Sequence, residues 1–157
     1  MIIRRAEIKD MEGINNLLRQ VLYVHHVGRP DIFREVGKKY RDEELEAIIE
    51  DDSAPIFVAV CEETDRVLGH CFTVINEAKG HSSLVDCKTL YIDDLCIDGG
   101  ARGQHVGKAL YEYTLNFARS IGCYNVTLNV WAKNESAMKF YEAMGLTVQK
   151  IGMEKIL

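Results

Sequence analysis

The residues with the clearest chemical potential run Arg102-Gly103-Gln104-His105-Val106-Gly107-Lys108. They follow a strand-like run ending Asp93-Asp94-Leu95-Cys96-Ile97 and open an amphipathic helix carrying Val106, Ala109, Leu110, Tyr113, Phe117 and Ile121 at helical spacing. A strand, a glycine-bearing turn and a helix N-terminus together make an anion site. The first amides of a helix lack intrahelical acceptors, and the helix dipole adds partial positive charge there. Such a site suits a pyrophosphate, so a phosphorylated cofactor is expected. Gly103 and Gly107 permit close backbone approach, and Arg102 could add charge. The stretch is no P-loop, because no G-x-x-x-x-G-K-[ST] is present and Lys108 is followed by Ala109.

Other reactive residue types give weaker signals. Cys61, Cys71, Cys87, Cys96 and Cys123 are scattered, odd in number and free of any C-x-x-C pair, which fits free thiols. The histidines form neither H-E-x-x-H nor H-x-x-E-H, so no metal is expected. A formal net charge of -5 disfavours nucleic acid as a partner. It fits a cationic small molecule or a basic peptide end better. No apolar run is long enough to span a bilayer, and the first residues lack a signal-peptide core. A cytoplasmic protein without membrane contact is therefore expected.

The elements that must position the glycine turn can be read along the chain. At 157 residues, with no repeat or linker, the chain reads as a single domain over 1–157. Ile2 to Glu7 reads as a strand. Asp10 can cap a helix reaching about His25, with Ile14, Leu17, Leu18 and Val21 on one face. A second helix spans Asp42 to Glu50. Ile56–Cys61 and Val67–Asn76 flank a short turn and read as an antiparallel hairpin. Strands follow at Cys87–Ile97 and Asn125–Trp131, a short helix at Asn134–Met144, and a final strand at Thr147–Leu157. The order β-α-α-β-β-β-α-β-α-β implies an α/β domain with about six to seven strands in a mixed sheet flanked by four helices. Its first half should be antiparallel, with a parallel pair around the glycine turn.

Two motifs within this order resemble the GCN5-related N-acetyltransferases. One is Arg102-Gly103-Gln104-His105-Val106-Gly107. The other is Asn134 followed by a short helix with Phe140, Tyr141 and Gly145. The resemblance covers nearly the whole chain. One departure stands out: His105 occupies a position that is usually glycine, and its Cβ makes positive φ costly there.

The resemblance implies acetyl-CoA as cosubstrate, with no metal, and a primary amine as acceptor. The acceptor could be a small molecule, a protein N-terminus or a lysine. A non-catalytic acyl-CoA-binding module is the rival reading. By the same resemblance the pyrophosphate rests on amides from Gln104 onward, with Arg102, Gly103, His105, Val106, Gly107 and Lys108 forming the cradle. Leu95, Cys96 and Ile97 pair through their backbone with the pantetheine arm, and a bulge near Asp94 opens the strand to admit it. Tyr141 is implied as general acid toward the leaving sulfur. Asn134 caps its helix and contacts the arm. Asp93 and Asp94 compete as the base, with Asp93 favoured beside the acceptor. His25, Arg29 and Phe33, with Asp93, line the acceptor side. The last strand could pair across a homodimer.

Overall fold

The computed structural model describes residues 1–157. Its elements in chain order are β1 (Ile2–Arg5), α1 (Met11–Gly28), α2 (Asp42–Glu50), β2 (Ile56–Val60), β3 (Val67–Ala78), β4 (Cys87–Ile97), α3 (Val106–Ser120), β5 (Asn125–Leu128) and α4 (Glu135–Ala143). The strands form one sheet in the order β1-β2-β3-β4-β5. The first three pairings are antiparallel, and β4 pairs with β5 in parallel across α3. The mixed sheet expected from the sequence is present, with five strands rather than six or seven. No helix is long and apolar enough to cross a membrane.

The missing strand is Thr147–Leu157. These residues are exposed throughout and take no strand pairing. Their apolar members Val148, Ile151, Met153 and Ile156 bury almost nothing. Alternation of types is not enough to make a strand without a partner edge and a face to cover. The segment is tied back instead by Glu154, which accepts hydrogen bonds from the Arg29 guanidinium.

Alternation along β2 and β3 sends side chains to two cores. Ile56, Val58, Val60 and Phe72 pack with Ile14, Leu17 and Leu18 of α1 and with Leu45 and Ile49 of α2. Phe57, Cys71 and Ile92 pack with Leu110 and Tyr111 of α3, and Phe140 and Met144 of α4 lie against them. The sheet is therefore covered on both faces, and what remains for a ligand is the carboxyl end of its parallel pair.

Two irregularities in β4 shape that end. Phe72 pairs with Asp94 while Thr73 pairs with Ile92, so Asp93 is an extra, bulged residue. On the other side, pairing with β5 runs only from Thr89↔Asn125 to Ile92↔Leu128. Beyond Ile92, β4 stays paired with β3 as far as Ile97 but has no strand on its β5 side. The bulge and the loss of pairing begin at the same residue.

The entry to α1 is fixed by a nearly buried carboxylate. Asp10 takes Nη1 and Nη2 of Arg4 at 2.6 and 3.0 Å, and the amide of Glu7 at 2.8 Å. Burial pushes the Asp10 carboxyl up, but the Arg4 and Glu7 hydrogen bonds outweigh it and hold the group below its usual range. Depressed in the folded state, Asp10 contributes stability above about pH 4 that is lost as pH falls further. Asp10→Asn should lower unfolding stability at pH 7 by about 1–3 kcal/mol. It should also flatten the acid limb of the stability profile, as read by denaturant melts across pH 3–7. An unchanged acid limb would show that Asp10 carries no such linkage.

Candidate active site

The glycine turn is built from both sides. Asp98 accepts from Gly100 N at 3.3 Å and from Gln20 Nε2 of α1 at 2.9 Å. Gln20 Oε1 in turn accepts from Gly99 N at 3.1 Å. Arg102 Nε reaches back to the carbonyl of Ile97 at 3.3 Å, and Gln104 Nε2 to that of Gly100 at 3.0 Å. These contacts leave the amides from Gly103 to Lys108 with no acceptor inside the protein. Gly107 opens the first turn of α3 beneath Ile97 and Phe140, and a Cβ there would touch them at ordinary contact distances of 3.4–3.7 Å. Val106 is buried, whereas Lys108 is exposed and faces Glu112 at 3.8 Å.

His105 adopts the left-handed conformation, with φ 62° and ψ 10°. The position thus keeps the backbone that a glycine would take easily, at a cost of about 1–2 kcal/mol for a residue with a Cβ. Its imidazole is exposed and makes no hydrogen bond within the chain. Gly103, two residues earlier, also has positive φ, 77°.

The bulge changes how the two aspartates are disposed. Neighbours on a regular strand point to opposite faces. Here both carboxylates converge on one ammonium, with Lys39 Nζ at 3.0 Å from Asp93 Oδ2 and 3.8 Å from Asp94 Oδ2. The Asp93 side chain is 38% exposed, whereas that of Asp94 is 7% exposed. Asp94 Oδ2 also lies 3.8 Å from His70 Nε2, whose ring is fully buried with neither nitrogen hydrogen-bonded. Burial pushes the Asp94 carboxyl up, but His70, Lys39 and His25 outweigh it and hold the group below the usual carboxylate range. Asp94 is therefore an anion at neutral pH in a largely dry setting.

Tyr141 lies across the sheet, on α4. Its ring meets Tyr111 at 6.4 Å and Phe140 at 5.2 Å between centroids, so it packs as well as presenting a phenol. Burial, with Cys71, Asp94, Tyr111 and Cys96 adding to it, pushes the phenol well above its ordinary range and keeps it protonated. Asn134 caps α4 as expected, its Oδ1 accepting from Ala137 N at 3.2 Å. Leu95 and Ile97 are half-buried and pack toward α3, while Cys96 is buried on the α1 side with Sγ 3.6 Å from the Leu17 carbonyl. Burial pushes the Cys71 and Cys96 thiols up to about 12, which removes them as nucleophiles.

The acceptor-side residues named from the sequence do come together. His25 and Phe33 rings lie 4.9 Å apart, and Phe33 meets Trp131 edge-on at 5.2 Å. The Arg29 guanidinium sits 5.9 Å over the Trp131 ring and is paired with Asp31 at 2.7 Å. A cavity of about 670 Å³ opens here between the end of α1 and the start of α4, with His25, Arg29, Trp131, Lys133 and Asn134 in its wall. Sequence reasoning missed His70, Lys39 and Trp131 as parts of this region. His70 carried a usable signal, a titratable residue inside the apolar run Leu68-Gly69-His70-Cys71-Phe72. Lys39 carried none, being one cation in a polar loop.

Comparison with known proteins places the chain in a family. Residues 22–146 match the model of the acetyltransferase (GNAT) family. A glucosamine 6-phosphate N-acetyltransferase of Arabidopsis thaliana is 30% identical over 157 residues, covering 98% of this chain and 94% of that protein. A peptidyl-lysine N-acetyltransferase of Salmonella typhimurium is 33% identical over 148 residues, covering 93% of this chain and 83% of that protein. Among solved structures, a mutant of the BH1408 protein from Bacillus halodurans superposes with a TM-score of 0.94 at 28% identity, covering 100% of this chain and 99% of its own. The family match spans the opened strand, the glycine turn and α4 alike, and the chain belongs to the acetyltransferase (GNAT) family.

Proposed function

We propose that this acetyltransferase moves an acetyl group from acetyl-CoA to a small primary amine by direct attack of the amine on the thioester. The observation that carries the reading is a juxtaposition. A stretch of β4 whose β5-facing edge is open runs from a pair of carboxylates, on the α1 side, to a helix N-terminus with free amides. A protonated phenol stands on the opposite side of the sheet. Bound acetyl-CoA supplies an activated acyl group. The chain's residues supply everything else.

The free amides from Gly103 to Lys108 would hold the pyrophosphate, helped by the α3 dipole and by Arg102. The open backbone of Leu95, Cys96 and Ile97 offers the pantetheine arm a strand to pair with, and an amide there can donate to the thioester carbonyl as charge develops. An acceptor arrives as an ammonium and must lose a proton before it attacks. Asp94 is the stronger candidate to receive it, directly or through water, because it is anionic, buried and flanked by His25 and His70. Asp93, favoured by the sequence, is better placed to hold the incoming cation at the surface. Tyr141 would present its O–H to the sulfur. With its pKa raised, full transfer to an ordinary thiolate is uphill, so the contribution is a hydrogen bond that strengthens as the C–S bond breaks.

The form of the acceptor side supports a small amine over an extended peptide. Phe33, on the loop after α1, packs edge-on against Trp131 just beyond β5, a contact that ties the loop to the wall of the cavity. A non-catalytic binding module would have no use for two convergent carboxylates and a buried phenol. The reading is tested by thiol release from acetyl-CoA over a panel of polyamines, aminoglycosides, glucosamine 6-phosphate, amino acids and lysine peptides, with binding measured by calorimetry on the same sample. Amine-dependent release supports it. Binding without release for any amine would favour the non-catalytic module.

Four substitutions sharpen the test. Tyr141→Phe should cut kcat about 100-fold while acetyl-CoA affinity stays within about twofold. Asp94→Asn should reduce turnover more than Asp93→Asn, and the reverse order would reinstate Asp93 as the base. His105→Gly should raise unfolding stability by about 1 kcal/mol through relief of the left-handed strain, with acetyl-CoA affinity unchanged. A large loss of affinity would show instead that the imidazole itself binds the cofactor.

A further inference from the structure

The carboxylate pair that the proposed reaction needs is already occupied. Lys39 stands on the loop between α1 and α2, and its Nζ is held by Asp93 at 3.0 Å and Asp94 at 3.8 Å. The ammonium also lies 5.2 Å above the Tyr40 ring and 5.8 Å above that of Phe72, which seats it against the sheet. Lys38, its neighbour, makes only a surface pair with Asp42. The bulge that turns both carboxylates to one point has therefore turned them toward a primary amine of the same chain. That amine sits on a flexible four-carbon stem, where the acceptor's ammonium is to be received.

We propose that Lys39 is an internal acceptor, acetylated by the protein's own site when no other amine displaces it. The inference rests on the reading of β4 as the acyl-CoA strand. In the step, the Lys39 ammonium gives a proton to Asp94. The neutral Nζ attacks the acyl carbon, a C–N bond forms, and the C–S bond breaks. Nζ sheds a second proton as the amide forms; one of the two protons ends on the departing sulfur, so CoA leaves as the thiol, and the other passes from Asp94 to solvent. The product is an uncharged amide. Both ion pairs to Lys39 are lost, the loop after α1 loses its anchor on β4, and the carboxylates are freed for an external amine. Because the same carboxylates hold Lys39 protonated, the reaction is slow beside turnover of a displacing acceptor, and it occurs once per chain.

The experiment incubates the intact protein with acetyl-CoA and no amine, then quantifies acetylation at every lysine over time by peptide mass spectrometry. Lys39 should be modified at least about tenfold faster than Lys38, as held geometry favours attack within one molecule. The rate should not change with protein concentration. Lys39→Arg should keep the cation and remove this site alone. Tyr141→Phe should slow modification of Lys39 but leave the background at exposed lysines. Lys39 reacting no faster than exposed lysines, in a sample that acetylates an amine of the panel, would overturn the proposal and spare the reading beneath it. Failure to bind acetyl-CoA at all would overturn both.

Discussion

The site depends on one extra residue in β4. Asp93 has no counterpart on β3, and that single offset turns two successive carboxylates toward the same point. The same stretch leaves β5 behind after Ile92. An open strand edge inside a covered sheet is a place where backbone donors and acceptors wait for a partner. In an unbroken ladder the two carboxylates would point to opposite faces, one toward α1 and the other toward α3. Register shift, opening and charge pair meet at one local irregularity.

Around that point the two cores divide the chemistry. The α1 face holds Asp94, His70, Cys96 and Phe72, so the anion sits among apolar groups with the Lys39 ammonium close by. The α4 side holds Tyr141 within an aromatic group that keeps its phenol neutral. A carboxylate kept charged and a phenol kept protonated, on opposite sides of an open strand, are held apart by the sheet itself. The turn at the far end is fixed to α1 through Gln20, so the anion cradle and the acceptor wall share one rigid helix. Precision of this kind is what acyl transfer requires, because small displacements of reacting groups are costly.

Much of the architecture was legible in the sequence, and the exceptions have physical causes. Helices with one apolar face and strands with alternation were readable because periodicity reports burial. The glycine turn and the Asn134 cap were readable because their residue types are dictated locally. The final strand misled because alternation shows a strand's possibility and not its partner, and Thr147–Leu157 has none. The conformation of His105 was obscured because the surrounding turn imposes a backbone its own type disfavours. Lys39 and His70 were invisible as site members because they reach Asp94 only through tertiary packing. A bulge near Asp94 was expected, but not that it would bring both aspartates to one ammonium.

The central claim is that the opened end of β4 and the first amides of α3 together receive acetyl-CoA. Amide hydrogen exchange, followed residue by residue with and without saturating acetyl-CoA, addresses it directly. The account predicts slowed exchange within 93–97 and 103–108, with β1 and β2 unchanged. Binding that leaves 93–97 unprotected, or that protects a different edge of the sheet, would contradict it.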